Sequence, residues 1–434
     1  MILFPQELVN AVIHEIDDVP ALKASCLAGS VFREETQRIL FKKFKLDDEM
    51  RNPDAVYSLL QKSPHIAPYI TSLSISFPSE ETLPQNTESL LQIFDRLKNV
   101  QSCTVAHIPN AGIHAALVSA FLAFLSRQSL RELNVASTDS LLPVVCLRLI
   151  TMAPAISFTG VTVTSLAQNV DFPVPDSQPA VPRMRQLTLG PQSQAVNALL
   201  ARVQSQEYTQ GLLHISLYCV YDLVIGLLPA NARILEHIEL NIRGALGAPI
   251  IPLLPALRSV KIHVNLRKHQ TPGYSNLIST ILDRSPLLAD LALQFPPSKA
   301  TDLYVSTELL RTLDTALVQH AAAPSIRWRL FLGLNPDSQK DGFNEFVAQV
   351  RRGMPRVDEK HRLVLEAYVM SARYAVGGIR EEDLIGRYLH RSIENAPPPK
   401  RPTSHQGGQR EPTSVDGTYG SVREALAPKR EWSS

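Results

Sequence analysis

One short apolar pattern, returning again and again, constrains this chain more than any other feature. The pattern is apolar-x-x-apolar-x-apolar. It stands at Ile70-x-x-Leu73-x-Ile75, Val100-x-x-Cys103-x-Val105, Leu130-x-x-Leu133-x-Val135 and Met184-x-x-Leu187-x-Leu189. It returns at Leu212-x-x-Ile215-x-Leu217, Leu235-x-x-Ile238-x-Leu240, Leu257-x-x-Val260-x-Ile262 and Leu288-x-x-Leu291-x-Leu293. Ile156 to Val163 reads as a degenerate copy, and Ile326 to Leu334 and His361 to Ala367 as weaker ones. Alternation about the last two anchors puts successive side chains on opposite faces, which is the geometry of a strand.

The anchors 73, 103 and 133 step by 30; the anchors 215, 238 and 260 step by 23 and 22. Runs with helical spacing lie between them: Asp54–Lys62, Glu88–Lys98, Ile113–Ser126, Gln194–Val203, Ser275–Asp283 and Glu308–His320. One strand and one helix per unit, stacked in order, bury a continuous core. The periods resemble those of leucine-rich repeats, roughly 20–29 residues with some long copies. A nonrepeating α/β domain with Leu-rich strands is the alternative. The expected fold class is α/β: a leucine-rich-repeat-like solenoid of parallel strands and helices over residues 47–395, with a short helical unit before it at 1–46.

That first unit reads as three short helices. Phe4, Leu8, Val12, Ile13 and Ile16 recur at helical spacing, with Pro5 suited to a first turn. Asp17-Asp18-Val19-Pro20 ends this helix, Ala21 to Leu27 forms a second, and Phe32 to Phe44 a third. So small a unit buries little surface by itself and must lean on a neighbour. After Asn395, Ala396-Pro397-Pro398-Pro399-Lys400-Arg401-Pro402 opens a stretch rich in Pro, Ser, Gly and charge. Burial there cannot offset ordering entropy, so 396–434 is expected to be a disordered tail.

The composition excludes several classes. Lys plus Arg is 43 against 41 Asp plus Glu, too even for electrostatic binding of nucleic acid or an anionic membrane. The longest uncharged apolar run, Ala111 to Ser126, is short of the roughly 20 residues a bilayer needs. The start carries acid at Glu7, Glu15, Asp17 and Asp18 rather than the basic n-region of a secretory signal. Cys26, Cys103, Cys146 and Cys219 form no C-x-x-C pair and read as free thiols of a reducing compartment. An intracellular protein, cytoplasmic or nuclear, is expected. No phosphate-binding loop, H-E-x-x-H or nucleophile-elbow motif is present, and the twelve histidines are scattered. No enzyme activity, cofactor or metal is expected.

The order Phe4-Pro5-Gln6-Glu7-Leu8, then Ile13 and Ile16, then Ala21-Leu22-Lys23-Ala24-Ser25-Cys26-Leu27, then Phe32, then Gln37-Arg38-Ile39-Leu40-Phe41-Lys42 resembles the F-box, most closely its divergent fungal form. It departs at Phe4, where Leu is usual, at Ala28-Gly29-Ser30, which replaces Val-Cys-Arg, and at Phe32, which replaces Trp. The resemblance implies a substrate receptor of an SCF-type cullin–RING ubiquitin ligase, with the adaptor and cullin as partners. Phe4, Pro5, Leu8, Ile13, Ile16, Leu22, Leu27 and Phe32 would then supply the apolar adaptor face. The other reading of the same residues is a helical cap on a binding solenoid.

A protein substrate would lie on the concave face, which the residues alternating with the anchors line. Early copies place Ser72, Ser74 and Ser76, then Glu132, Asn134 and Ala136, then Gln186 and Thr188 there. The most regular copies place His214, Ser216 and Tyr218, then His237, Glu239 and Asn241, then Ser259, Lys261 and His263. His214 and His237 should share one row, and Tyr218, Asn241 and His263 another, with Glu239 and Lys261 between. The two histidines are read as solvated neighbours on a ladder rather than a metal pair. A face with Tyr, His and both signs of charge suits a protein or peptide.

Overall fold

A computed structural model describes residues 5–46, 53–77, 83–164, 184–200, 206–218, 224–241, 251–264, 271–295, 305–332, 340–370 and 384–391. The chain divides into a unit of residues 1–392 and a second of 393–434. The expected tail at 396–434 lies outside the described residues.

The chain starts with helices α1 (Gln6–His14), α2 (Val19–Ala28) and α3 (Ser30–Lys42). The Asp18 side chain accepts a 2.9 Å bond from the Ala21 N–H, and Pro20 sits in the first turn, so the segment that ends α1 also caps α2. Val9, Ile13 and Leu22 form a small core, with Ile16, Phe32, Ile39 and Leu40 packed against it.

The third helix stops short of its expected end. Lys43-Phe44-Lys45-Leu46 alternates with period two, and it forms strand β1 (Lys43–Leu46) rather than a last helical turn. Phe44 and Leu46 are buried in the main core, so the sheet begins within what the sequence assigned to the helical unit.

The remaining strands are β2 (Ser72–Ser76), β3 (Ser102–Ala106), β4 (Glu132–Leu141), β5 (Ala155–Val163), β6 (Gln186–Leu189) and β7 (His214–Tyr218). They continue as β8 (His237–Asn241), β9 (Ser259–His263), β10 (Asp290–Phe295), β11 (Ser325–Leu332), β12 (Leu363–Met370) and β13 (Leu384–Arg391). They form one sheet in strict chain order. Every neighbouring pair from β1 to β12 is parallel, and β13 closes the series antiparallel to β12.

All eight copies of the pattern, the degenerate copy and both weaker ones are strands of this sheet. The register makes one row of the middle anchors: Phe44, Leu73, Cys103, Leu133, Ile156, Leu187, Ile215, Ile238, Val260, Leu291, Ile326 and Leu363. The backbone repeats as well. In the most regular copies the carbonyl before the strand accepts two N–H groups from the next copy: Leu213 O from Glu236 and His237, Glu236 O from Arg258 and Ser259, Arg258 O from Ala289 and Asp290.

The helices after α3 are α4 (Pro53–Lys62), α5 (Leu83–Arg96), α6 (Ala115–Arg127), α7 (Pro143–Ile150), α8 (Gln194–Leu200), α9 (Gln206–Thr209), α10 (Val224–Asn231), α11 (Thr271–Arg284), α12 (Thr307–Gln319), α13 (Lys340–Gly353) and α14 (Pro355–Glu359). All six expected inter-strand helices are among them. Their apolar sides and the anchor rows form a single buried cluster, including Phe94, Phe121 and Phe124 from α5 and α6. Trp328 stacks on Phe295 at 5.6 Å and meets Phe346 edge-on toward the far end.

Cys26, Cys103 and Cys146 are free thiols; burial pushes the Cys103 and Cys146 thiols up to about 12. Cys219 lies outside the described residues. No described helix is long and apolar enough to cross a membrane.

Candidate functional site

The alternation that buries the anchors leaves the other side chains of β7, β8 and β9 half-buried on the opposite face. In-register pairing sets them in three rows. His214 lies beside His237 and then Ser259, Ser216 beside Glu239 and then Lys261, and Tyr218 beside Asn241 and then His263.

Glu239, on the middle strand, gathers its neighbours. Its Oε1 lies 2.6 Å from His263 Nε2 and 2.7 Å from Lys261 Nζ, and accepts from the Tyr218 hydroxyl at 3.4 Å. Its Oε2 accepts from the Ser216 hydroxyl at 3.3 Å. Burial alone would raise the carboxyl's pKa. The bond with His263 and the charge of Lys261 outweigh it and hold the group down at about 2. Burial, then the Glu239 charge, pushes the Tyr218 hydroxyl the other way, well above its ordinary value. The Tyr218 and His263 rings are 5.6 Å apart. A carboxylate held this strongly as an anion is a poor proton acceptor at neutral pH. The cluster offers a fixed surface of rings, an ammonium and a hydroxyl.

His214 and His237 meet edge to face, with ring centroids 4.2 Å apart. Burial, then the neighbouring His237, lowers the His214 pKa, with Glu236 opposing. Glu236 was not among the expected site residues. It sits one residue before β8, where strand alternation does not place it on this face, yet its carboxylate lies 3.9 Å from His237 Nε2.

Farther along, Arg329 Nε donates to the Glu366 carboxylate at 3.2 Å, and Arg327 reaches both Asp290 and Glu366. Ala292, Gln294 and Glu366 are buried on this face, while Arg327 and Arg329 on the strand between them stay half-buried.

The residues expected to form an adaptor face separate into two sets. Leu8 is 53% and Leu27 84% exposed, and Pro5 is exposed at the start of α1. Ile13 and Leu22 are 2% and 3% exposed, and Ile16 and Phe32 are half-buried. Ile13 and Leu22 therefore hold the three helices together and offer no surface, which corrects their assignment to a partner face. Ile16 and Phe32 pack against that same core. Phe4 lies outside the described residues. Val12, Val19 and Val31, not expected there, are exposed instead. Gln6 Nε2 donates to the Val31 carbonyl at 3.1 Å, which ties the first turn of α1 to that of α3.

A cleft of about 850 Å³ lies between these helices and the turn at Pro64–Tyr69, lined in part by Ile16, Val19, Arg38 and Tyr69. Arg38 stands over the Tyr69 ring at 5.7 Å. A scan against protein-family models and a search of the curated proteins each returned no match to this chain.

Proposed function

We propose that this chain is the substrate-recognition subunit of an SCF-type cullin–RING ubiquitin ligase, working in the cytoplasm or nucleus. The F-box-like helices α1–α3 bind the adaptor, and the leucine-rich-repeat-like solenoid holds a protein substrate on the face of β7–β9. Such a receptor does no bond chemistry. It raises the effective concentration of a target near the conjugating enzyme.

The observation that carries the reading is the exposure of Leu8 and Leu27, with Val12 and Val31, on a helical unit that already has its own core. A unit that served only as a cap would turn such side chains inward. Leu8 and Val12 stand one turn apart on α1, and contiguous exposed apolar surface marks protein contacts. On the sheet, Tyr218 supplies the one phenol ring of the three rows, and a rigid ring costs little entropy to fix against a partner.

A second reading keeps the solenoid as a binding scaffold and the helices as its cap. It draws support from β1, which extends directly from α3 and pairs with β2.

Affinity capture of the tagged full chain separates the two. The wild type should retain adaptor and cullin, and Leu8→Glu with Leu27→Glu should lose them while its circular dichroism is unchanged. Absence of adaptor from the wild-type capture would leave only the cap, and equal capture by the double variant would rule out Leu8 and Leu27 as the adaptor contact. On the sheet, Tyr218→Ala should cost partner binding at least about 1 kcal/mol. Identical interactors by proximity labelling would move the binding surface elsewhere.

A further inference from the structure

We propose that His214, His237 and Glu236 form a three-ligand site for a divalent transition-metal ion of the zinc class, with a fourth coordination position open. The proposal is independent of the ubiquitin-ligase reading. It rests on geometry that strand pairing creates. β7 and β8 run parallel and in register with His214 opposite His237, so two imidazoles stand side by side on one face. Glu236 comes to them from the turn before β8. One ligand atom from each of the three residues lies within 4.8 Å of the other two. Among the described residues this is the one group of three such side chains so placed.

The ligand backbones are held firmly. His214 and His237 belong to the ladder. The Glu236 N–H donates to Leu213 O at 2.9 Å, and the Glu236 carbonyl accepts from Arg258 and Ser259 at 2.9 and 3.1 Å. Ligands on fixed elements lose little entropy when a metal binds.

A tetrahedral ion with bonds of roughly 2.0–2.1 Å needs its ligand atoms about 3.4 Å apart. The observed spread exceeds this by an amount that side-chain rotation closes, since all three side chains are only half-buried. Two imidazoles and one carboxylate suit zinc, cobalt, nickel or copper; calcium and magnesium prefer oxygen alone. Metal binding requires unprotonated rings. Three protein ligands and one open position is the arrangement of an accessible zinc site rather than a closed structural one.

The test uses the full chain, stripped with chelator and titrated with Zn²⁺ by calorimetry and with Co²⁺ by visible absorption. One Zn²⁺ per chain is expected, with a Co²⁺ d–d band of low-coordinate type. His214→Gln with His237→Gln should abolish both signals. Glu236→Gln, which leaves the two rings in place, should weaken Zn²⁺ at least about 10-fold, since even outer-shell partners are worth roughly 10–100-fold. Saturating Zn²⁺ should raise the wild-type melting temperature and leave that of the double variant unchanged. Failure of the wild type to bind would overturn the proposal. So would stoichiometry and affinity preserved in both the double variant and Glu236→Gln, because the ion would then sit on other histidines or cysteines. If the double variant does not fold, the Glu236→Gln comparison decides.

Discussion

Glu239 shows how much one side chain organises on the open face. It faces an ammonium, an imidazole and two hydroxyls at once, and remains ionised far below the ordinary carboxylate range. Replacing it with Gln keeps the shape and removes the charge that Lys261 and His263 face. Charge-assisted bonds contribute roughly 1.5–3 kcal/mol when buried. Partial solvent exposure reduces this, so Glu239→Gln should destabilise by about 1–2 kcal/mol at pH 7. The sign of the pH dependence follows from the depressed value. A carboxyl whose pKa is lower folded than unfolded contributes fully above its unfolded value and loses that contribution as pH falls through its folded value. The wild-type advantage should therefore fade between about pH 4.5 and about pH 2. Urea titrations of both proteins across that range check it; a constant gap would show that the Glu239 charge is not what stabilises.

At the scale of elements, β1 is the joint. Four residues of alternating Lys and apolar character leave α3 and add an edge to the sheet. Phe44 continues the row of anchors beside Leu73. Phe44→Ala removes a ring that is 3% exposed, a change that commonly costs about 3–5 kcal/mol. The loss should fall on the attachment of the three helices. Hydrogen exchange should speed up across β1 and β2 while β7–β9 keep their protection. Uniform acceleration would instead make the whole sheet one cooperative unit. The helices were unevenly legible. α5, α6, α11 and α12 announce themselves by an apolar stripe at helical spacing. α9 has four residues, α10 carries Pro229, and α7 is apolar nearly all round, so none of them gives a clear period.

At the scale of the molecule, a sheet wound in chain order has two edges, and each is managed. The first is β1 with its outward Lys43 and Lys45. Lysine on an edge discourages pairing with another chain. The last is β13, whose antiparallel pairing covers β12. A chain ending at Met370 would expose the β12 edge and should associate on sizing columns. A chain ending at Asn395 keeps β13 and should remain unassociated, with the melting temperature of the full protein, because the residues beyond it are too polar to form a core. Equal behaviour of the two truncations would show that the β12 edge is harmless.

The sequence by itself determined the strands of the repeat, the faces their residues take and the helices between most of them. Strand alternation and helical spacing are local properties, readable within a dozen residues. Once copies stack in order, even the rows of His214 with His237 and of Tyr218 with His263 follow from counting. Only the tertiary structure decided which apolar residues of the first three helices face one another and which face outward. Ile13 and Leu22 go in, while Leu8 and Leu27 stay out, because the crossing of α1, α2 and α3 and not the spacing within each sets the shared side. Only the tertiary structure brought Glu236 to the two histidines. A residue just before a strand is not bound by the strand's alternation, so its direction depends on the path of the turn and on the neighbouring copy that holds its carbonyl.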